Sequence, residues 1–410
     1  MGGLIGHIYH IYDNPDLTFG EIKEVLQNAA QGTLEKASEK LDGANLVFTY
    51  RPSGGGLAVA RAASDIKNGG MSGGDLARKF AGRQNISEAF NSAFDVLSRA
   101  ITSLPKIVTK KIFCEGATEL WYSMEVIHPG ASNVINYDCN SLVFHEWPVF
   151  KYDGLSIERL DESAGGQLLK NSIASMQAAV TSRSWRLAAP TISTMKKISD
   201  GTLLQKTLRR LEETMSTNEI NDSDTIQDYM VYALKEQASR FPVGNVVITA
   251  IATRVAGVEG SPTLTKIKEM VKPELRENVR QFVLDETARR REAIMPVEMI
   301  INDFAIELLR GMQSTLVANG KDEVKRIKKA ILEASRLIES SGNGVAMDIL
   351  RREMKKLGSI DNIASPVEGI VFKYNGSMYK FTGAWASANQ ILGLLKYGRK
   401  GVDPSEFRGS

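Results

Sequence analysis

Glu39-Lys40-Leu41-Asp42-Gly43, followed at once by Ala44-Asn45-Leu46-Val47-Phe48-Thr49-Tyr50, is the stretch on which the reading of this chain turns. A lysine stands beside two carboxylates and a glycine. Directly after it, Leu46, Phe48 and Tyr50 alternate with Asn45, Val47 and Thr49, the period of a half-buried strand. Residues 52–56 read as a turn, and Leu57, Val59 and Arg61 continue the alternation in a return strand. A lysine delivered next to such a hairpin, among acidic neighbours, reads as a nucleophile.

Upstream, Thr18 and Glu21 form a capping box, and Ile22, Val25, Leu26 and Ala29 fall on one helical face that ends near Gly32. Downstream, helices are expected at 74–81 and 86–104, and strands at 110–114, 124–128, 134–137 and 141–144. From about Leu155 to Ile360 nearly every window has helical period. After Pro366 the strand signal returns for 367–381, and an amphipathic segment covers 388–395. Strands, then helices, then strands predict an α+β fold. One domain is expected from 1–154 and 363–410, interrupted by a helical insertion at 155–362.

The closing strand pair makes an independent argument. In Val371-Phe372-Lys373-Tyr374-Asn375-Gly376-Ser377-Met378-Tyr379-Lys380-Phe381, Asn-Gly sits between two strand-like runs, a strong hairpin signal. With Asn375 and Gly376 as turn residues, Tyr374 faces Ser377, Lys373 faces Met378, Phe372 faces Tyr379 and Val371 faces Lys380. One face then carries Ile370, Phe372, Tyr379 and Phe381, and the other carries Lys373 and Lys380. Like charges placed as diagonal neighbours repel, so the arrangement suits either an anion lying between them or a solvated face whose lysines are solubilising edge residues. Strict alternation puts Glu368 on the face opposite Lys373, unless Gly369 hosts a bend that turns it inward.

Composition narrows the classes. With 410 residues, 43% hydrophobic and 24% charged, the chain is expected to be globular and large enough for two domains. A net charge of only +3 means that any attraction to a polyanion must come from local clusters. Cys114 and Cys139 lack metal-type spacing and suggest a reducing compartment, and the scattered histidines disfavour a zinc site. His7 and His10 are placed to share a helix face, a pair more often structural than ligating. The longest apolar run, 246–258, falls short of the roughly 20 residues a bilayer requires. No signal pattern opens the chain. A soluble, cytoplasmic protein without a membrane partner is expected.

Taken together, these segments resemble the covalent nucleotidyltransferase superfamily of ATP-dependent DNA and RNA ligases and mRNA capping enzymes. Lys40-Leu41-Asp42-Gly43 looks like its K-x-D-G motif I, and Glu368-Gly369-Ile370-Val371-Phe372-Lys373 matches the E-G-x-V-x-K motif IV. Lys380 falls where motif V has its lysine. Glu125 in Met124-Glu125-Val126-Ile127 is similar to the motif III glutamate, with Glu115 in Cys114-Glu115-Gly116 as a second candidate. Arg61 sits where ligases often place an arginine. Some 30 residues follow motif V, too few for the OB domain of replicative DNA ligases and capping enzymes, so phage-type RNA ligases are the nearer likeness.

The resemblance implies a ligase-type adenylation core of antiparallel sheets and helices, with ATP and Mg²⁺ as cofactors. Lys40 would attack the α-phosphorus and carry AMP, assisted by Lys373 and Lys380. Glu39 would contact adenine; Asp42, Gly43, Arg61, Glu125 and Glu368 would hold nucleotide, with Asp42 and Glu368 organising hydrated Mg²⁺. A free lysine has a pKa of about 10.4 and is protonated at neutral pH. Lys373, Lys380 and Mg²⁺ are therefore expected to lower that of Lys40. This requires both hairpin lysines to share a face directed at Lys40. The expected partner is a polynucleotide with 5′-phosphate and 3′-hydroxyl ends, RNA favoured over nicked DNA. A non-catalytic nucleotide- or nucleic-acid-binding protein is the alternative from another class. Basic clusters at 206–210, 289–291, 325–329 and 351–356 are interleaved with glutamates and read as solvated helix faces. Should they converge, they would form a phosphate-tracking surface.

Overall fold

The structure is a computed structural model that describes residues 8–398 apart from 130–134, 136, 138, 182–183, 191–200, 312–319 and 364–367. It is an α+β protein with two sheets. The small sheet has the order Tyr9–His10, Ser377–Phe381, Gly369–Tyr374, Glu35–Lys40. The large sheet has the order Gly56–Ala60, Ala44–Arg51, Thr118–Ile127, Asn140–Tyr152, Ile157–Leu160, with Cys114–Glu115 and Trp185–Ala188 added alongside.

The closing hairpin forms in the expected register, Tyr374 opposite Ser377 and Val371 opposite Lys380. Asn375 and Gly376 take φ of 47° and 77°, the left-handed pair that a two-residue turn of this twist requires. Ile370, Phe372, Tyr379 and Phe381 enter one core with Ile22, Val25 and Leu26 of the Phe19–Gln31 helix. That helix begins with the Thr18 and Glu21 capping box, each residue's side chain accepting from the other's backbone N–H at 3.2 and 2.9 Å.

Three expectations are corrected. Residues 110–113 belong to the helix Lys106–Phe113, whose Ile112 and Phe113 fill the core above the large sheet, so burial decided against a strand. His10 lies on a strand, not a helix, and His7 falls outside the described residues. Ile157–Leu160 and Trp185–Ala188 pair with the Asn140–Tyr152 strand, so the unbroken helical run begins at Gly201–Thr217 and not at 155. The strand expected at 134–137 falls largely outside the described residues; Tyr137 there makes an isolated bridge.

The helical segment shares a core with the closing hairpin. Val297, Ile300, Phe304 and Leu308 of the Glu286–Gly311 helix pack into the same core as the closing hairpin, and Phe304 meets Phe381 at 6.1 Å between ring centroids. A more remote cluster joins Leu234, Ile251, Val255 and Phe282. Among the described residues no helix is long and apolar enough to cross a membrane.

Candidate active site

Lys40 ends its strand, and its cross-strand neighbour is Gly369 of the closing hairpin. Two segments more than 300 residues apart thus share one sheet. Backbone crowding explains both glycines beside the lysine. A Cβ on Gly369 would stand 2.2 Å from the Phe381 carbonyl oxygen, and one on Gly43 would meet Glu125 Cγ at 2.7 Å and the Val126 oxygen at 2.8 Å. Glu368 stands just before the strand, released from its alternation, and its Oε1 accepts a hydrogen bond from the Lys40 ammonium. The irregularity in pairing lies further along, between Val371 and Lys373.

A cleft of about 610 Å³ opens here. Lys40, Asp42, Gly43, Glu125, Glu368 and Lys380 line its sheet side, and Arg291, Glu298, Arg352 and Lys356 reach it from the helical segment. The helices Glu286–Gly311 and Gly344–Leu357 therefore roof the site. Asp42 is 2% exposed; its Oδ2 accepts from the Ile135 N–H at 2.7 Å while its own N–H donates to Tyr137 Oη at 2.8 Å. Glu125 lies 3.5 Å from His145 Nε2. Glu115, the other candidate, sits at the far end of the Thr118–Ile127 strand, exposed and paired with Lys151 at 2.9 Å.

The remaining expectations divide. Lys373 and Lys380 share a sheet face, as the register demands, but only Lys380 lines the cleft, so the condition that both be directed at Lys40 is not met. Lys373 donates to Asp161 Oδ2 at 2.6 Å, drawn to the loop after the Ile157–Leu160 strand. Glu39 is 4% exposed with core residue Ile370 as its cross-strand partner, and it does not line the cleft. Arg61 lies over the rings of Phe90 and Phe80, at 5.3 and 6.0 Å, with the charge of Glu125 nearby.

Electrostatics correct the expectation for Lys40. Burial works against its charge, but the charge and hydrogen bond of Glu368, reinforced by Asp42 and Glu125, hold its pKa above the ordinary lysine value. The lysine brought down is Lys380, to about 8, by burial and by the neighbouring charge of Lys40. Burial pushes Glu368 up to about 7 against the pull of Lys40, with Asp42 and Glu125 adding to the rise. Lys40 and Glu368 titrate as a pair, so the proton shared along their hydrogen bond belongs to both.

The resemblance implies a divalent cation, and the carboxylates can be tested for it. Glu368 Oε2 is buried with no hydrogen-bond partner among the described residues, an acceptor with capacity to spare. Among the described residues no group of three or more His, Cys, Asp or Glu side chains is close enough to hold a metal directly. The set suits hydrated Mg²⁺, which keeps most of its waters and takes one or two carboxylates, here Glu368 and Asp42.

Sequence reasoning missed the amino-terminal wall of the cleft. His10 pairs in register with Lys380; its Nδ1 is 2.8 Å from Asp13 Oδ2 and its Nε2 is 2.9 Å from Thr382 Oγ1. The Tyr9–His10 strand has two residues, too short for any periodic signal. No family model, curated protein or solved structure matches this chain.

Proposed function

We propose that this chain is an ATP-dependent polynucleotide ligase, with RNA as favoured substrate, that works in the cytoplasm through AMP carried on Lys40. One observation carries the reading. The lysine of the K-x-D-G stretch and the glutamate of the E-G-x-V-x-K stretch, 328 residues apart, are hydrogen-bonded in one cleft that also holds Lys380, Asp42 and Glu125. Arg291, Arg352 and Lys356 also line this cleft, with Lys356 paired to Glu298 at 2.6 Å and Arg352 to Glu353 at 3.0 Å.

The chemistry follows from the arrangement. The Lys40 ammonium must lose a proton before its nitrogen can attack. Glu368, hydrogen-bonded to it and held near neutrality, is the acceptor. Lys40 Nζ then forms a bond to the α-phosphorus of ATP as the bond from that phosphorus to pyrophosphate breaks. Lys380 offsets charge growing on the phosphate oxygens, and bound Mg²⁺ would add to that neutralisation. A polynucleotide 5′-phosphate oxygen next attacks the same phosphorus and frees Lys40. A 3′-hydroxyl finally displaces AMP and joins the strands.

Incubation with ATP labelled at the α-phosphate should transfer label to the wild type and not to Lys40→Ala. Label on the variant equal to wild type would sink the proposal. A panel of single-stranded RNA, nicked RNA and nicked DNA on the same preparation identifies the polynucleotide.

A further inference from the structure

With Glu39 turned away, the cleft lacks the base contact expected from the sequence. A half-buried amide that lines the cleft offers one. Asn389 of the Ala384–Gly398 helix lines the cleft, and its Oδ1 is buried without a hydrogen-bond partner among the described residues. A buried acceptor left unpaired costs free energy unless a ligand or water brings a donor to it. The cleft also has apolar lining. Leu41, next to the nucleophile, and Ala386, one turn before Asn389, line the same cleft, and Leu41 shares a core cluster with Ala388. Ile8 and Ile294 add apolar lining from two other elements.

Where a pocket combines apolar lining with a few placed polar groups, apolar side chains can take the faces of a purine and an amide can read its edge. Adenine presents an amine donor beside a ring-nitrogen acceptor, and a carboxamide matches both at once. We infer that Asn389 is the base-reading residue of the cleft, its Oδ1 accepting from the 6-amine of adenine. The assignment rests on the reading of Lys40 as the AMP-carrying nucleophile and adds to it the group that selects the base. It also explains why a helix that contributes no charge to the site lines it with amide side chains, Asn389 and Gln390.

The test compares labelling of Lys40 by ATP and by purine riboside triphosphate, which lacks only the 6-amine. In the wild type kcat/KM should favour ATP by about tenfold, the usual worth of one hydrogen bond. In Asn389→Ala, and in the near-isosteric Asn389→Leu that keeps the helix and its apolar contacts, the ratio should fall to within about twofold of unity. A ratio unchanged in both variants, with Lys40 still labelled, overturns the assignment alone. No label on the wild type from either nucleotide removes the nucleophile reading and this assignment with it.

Discussion

At the scale of single residues, Lys40 and Glu368 form a pair: the ammonium is held by the carboxylate that the proposed mechanism makes its proton acceptor. Adenylation should therefore rise with pH along a limb with an apparent midpoint about 7, the value to which burial brings Glu368. Glu368→Gln should abolish that limb and slow labelling by about 100-fold or more, the range of a lost acid–base group. A variant that keeps both rate and limb would place the base elsewhere. Stability has its own sign. The folded-state value of Glu368 lies above its ordinary 4.5, so its contribution is complete below that value and is lost as pH rises through about 7. Lys40 and its neighbour Asp42 were legible because covalent chemistry on phosphate demands a nucleophile near acidic groups. The identity of its immediate partner was legible only as a motif. The depressed lysine was not, because a pKa depends on burial and distance, neither of which a sequence carries.

At the scale of elements, the closing hairpin was the most readable part of the chain. Asn-Gly fixes turn type, turn type fixes register, and register sets which side chains share a face. That chain of inference stops at the backbone. Lys373 and Lys380 leave the sheet on one side, yet Lys373 bends to Asp161, 212 residues earlier, while Lys380 points into the cleft with no carboxylate at ion-pair distance among the described residues. The two lysines should differ in assay. Lys380→Ala should lower labelling by about 100-fold, as loss of a charge-stabilising group does. Lys373→Ala should lower it less than about tenfold, having lost a pair with a carboxylate open to solvent. Equal losses would mean that Lys373 leaves Asp161 when nucleotide enters. The Lys106–Phe113 helix marks the opposite limit: Ile112 and Phe113 are buried against a sheet, and a short apolar run reads alike as strand or helix.

At the scale of the molecule, the helical segment is the roof of the site and part of its core. Phe304, fully buried between the long helix and the hairpin, connects them. Phe304→Ala should cost about 3–5 kcal/mol, and urea unfolding should shift as one transition that carries the hairpin with it. A shift confined to the helices, with labelling intact, would make the segment an independent domain after all. Of the basic clusters in the helices, Arg209, Arg289 and Arg351 make intrahelical pairs three or four residues apart, as solvated faces do. Arg291, Arg352 and Lys356 line the cleft, where Arg352 pairs with Glu353 and Lys356 with Glu298.

By itself the sequence determined the α+β class, the hairpin and its register. Those features follow from short-range rules of side-chain alternation, turn conformation and residue type. Only the tertiary structure decided that the Lys40 strand pairs with the hairpin, that Lys373 is held away, that Glu39 lies off the cleft, and that Asn389 and the helical cations line it. Those outcomes depend on packing and charge between segments hundreds of residues apart. The physical reason is that contact across such separations is set by the whole core, and no local stretch encodes it.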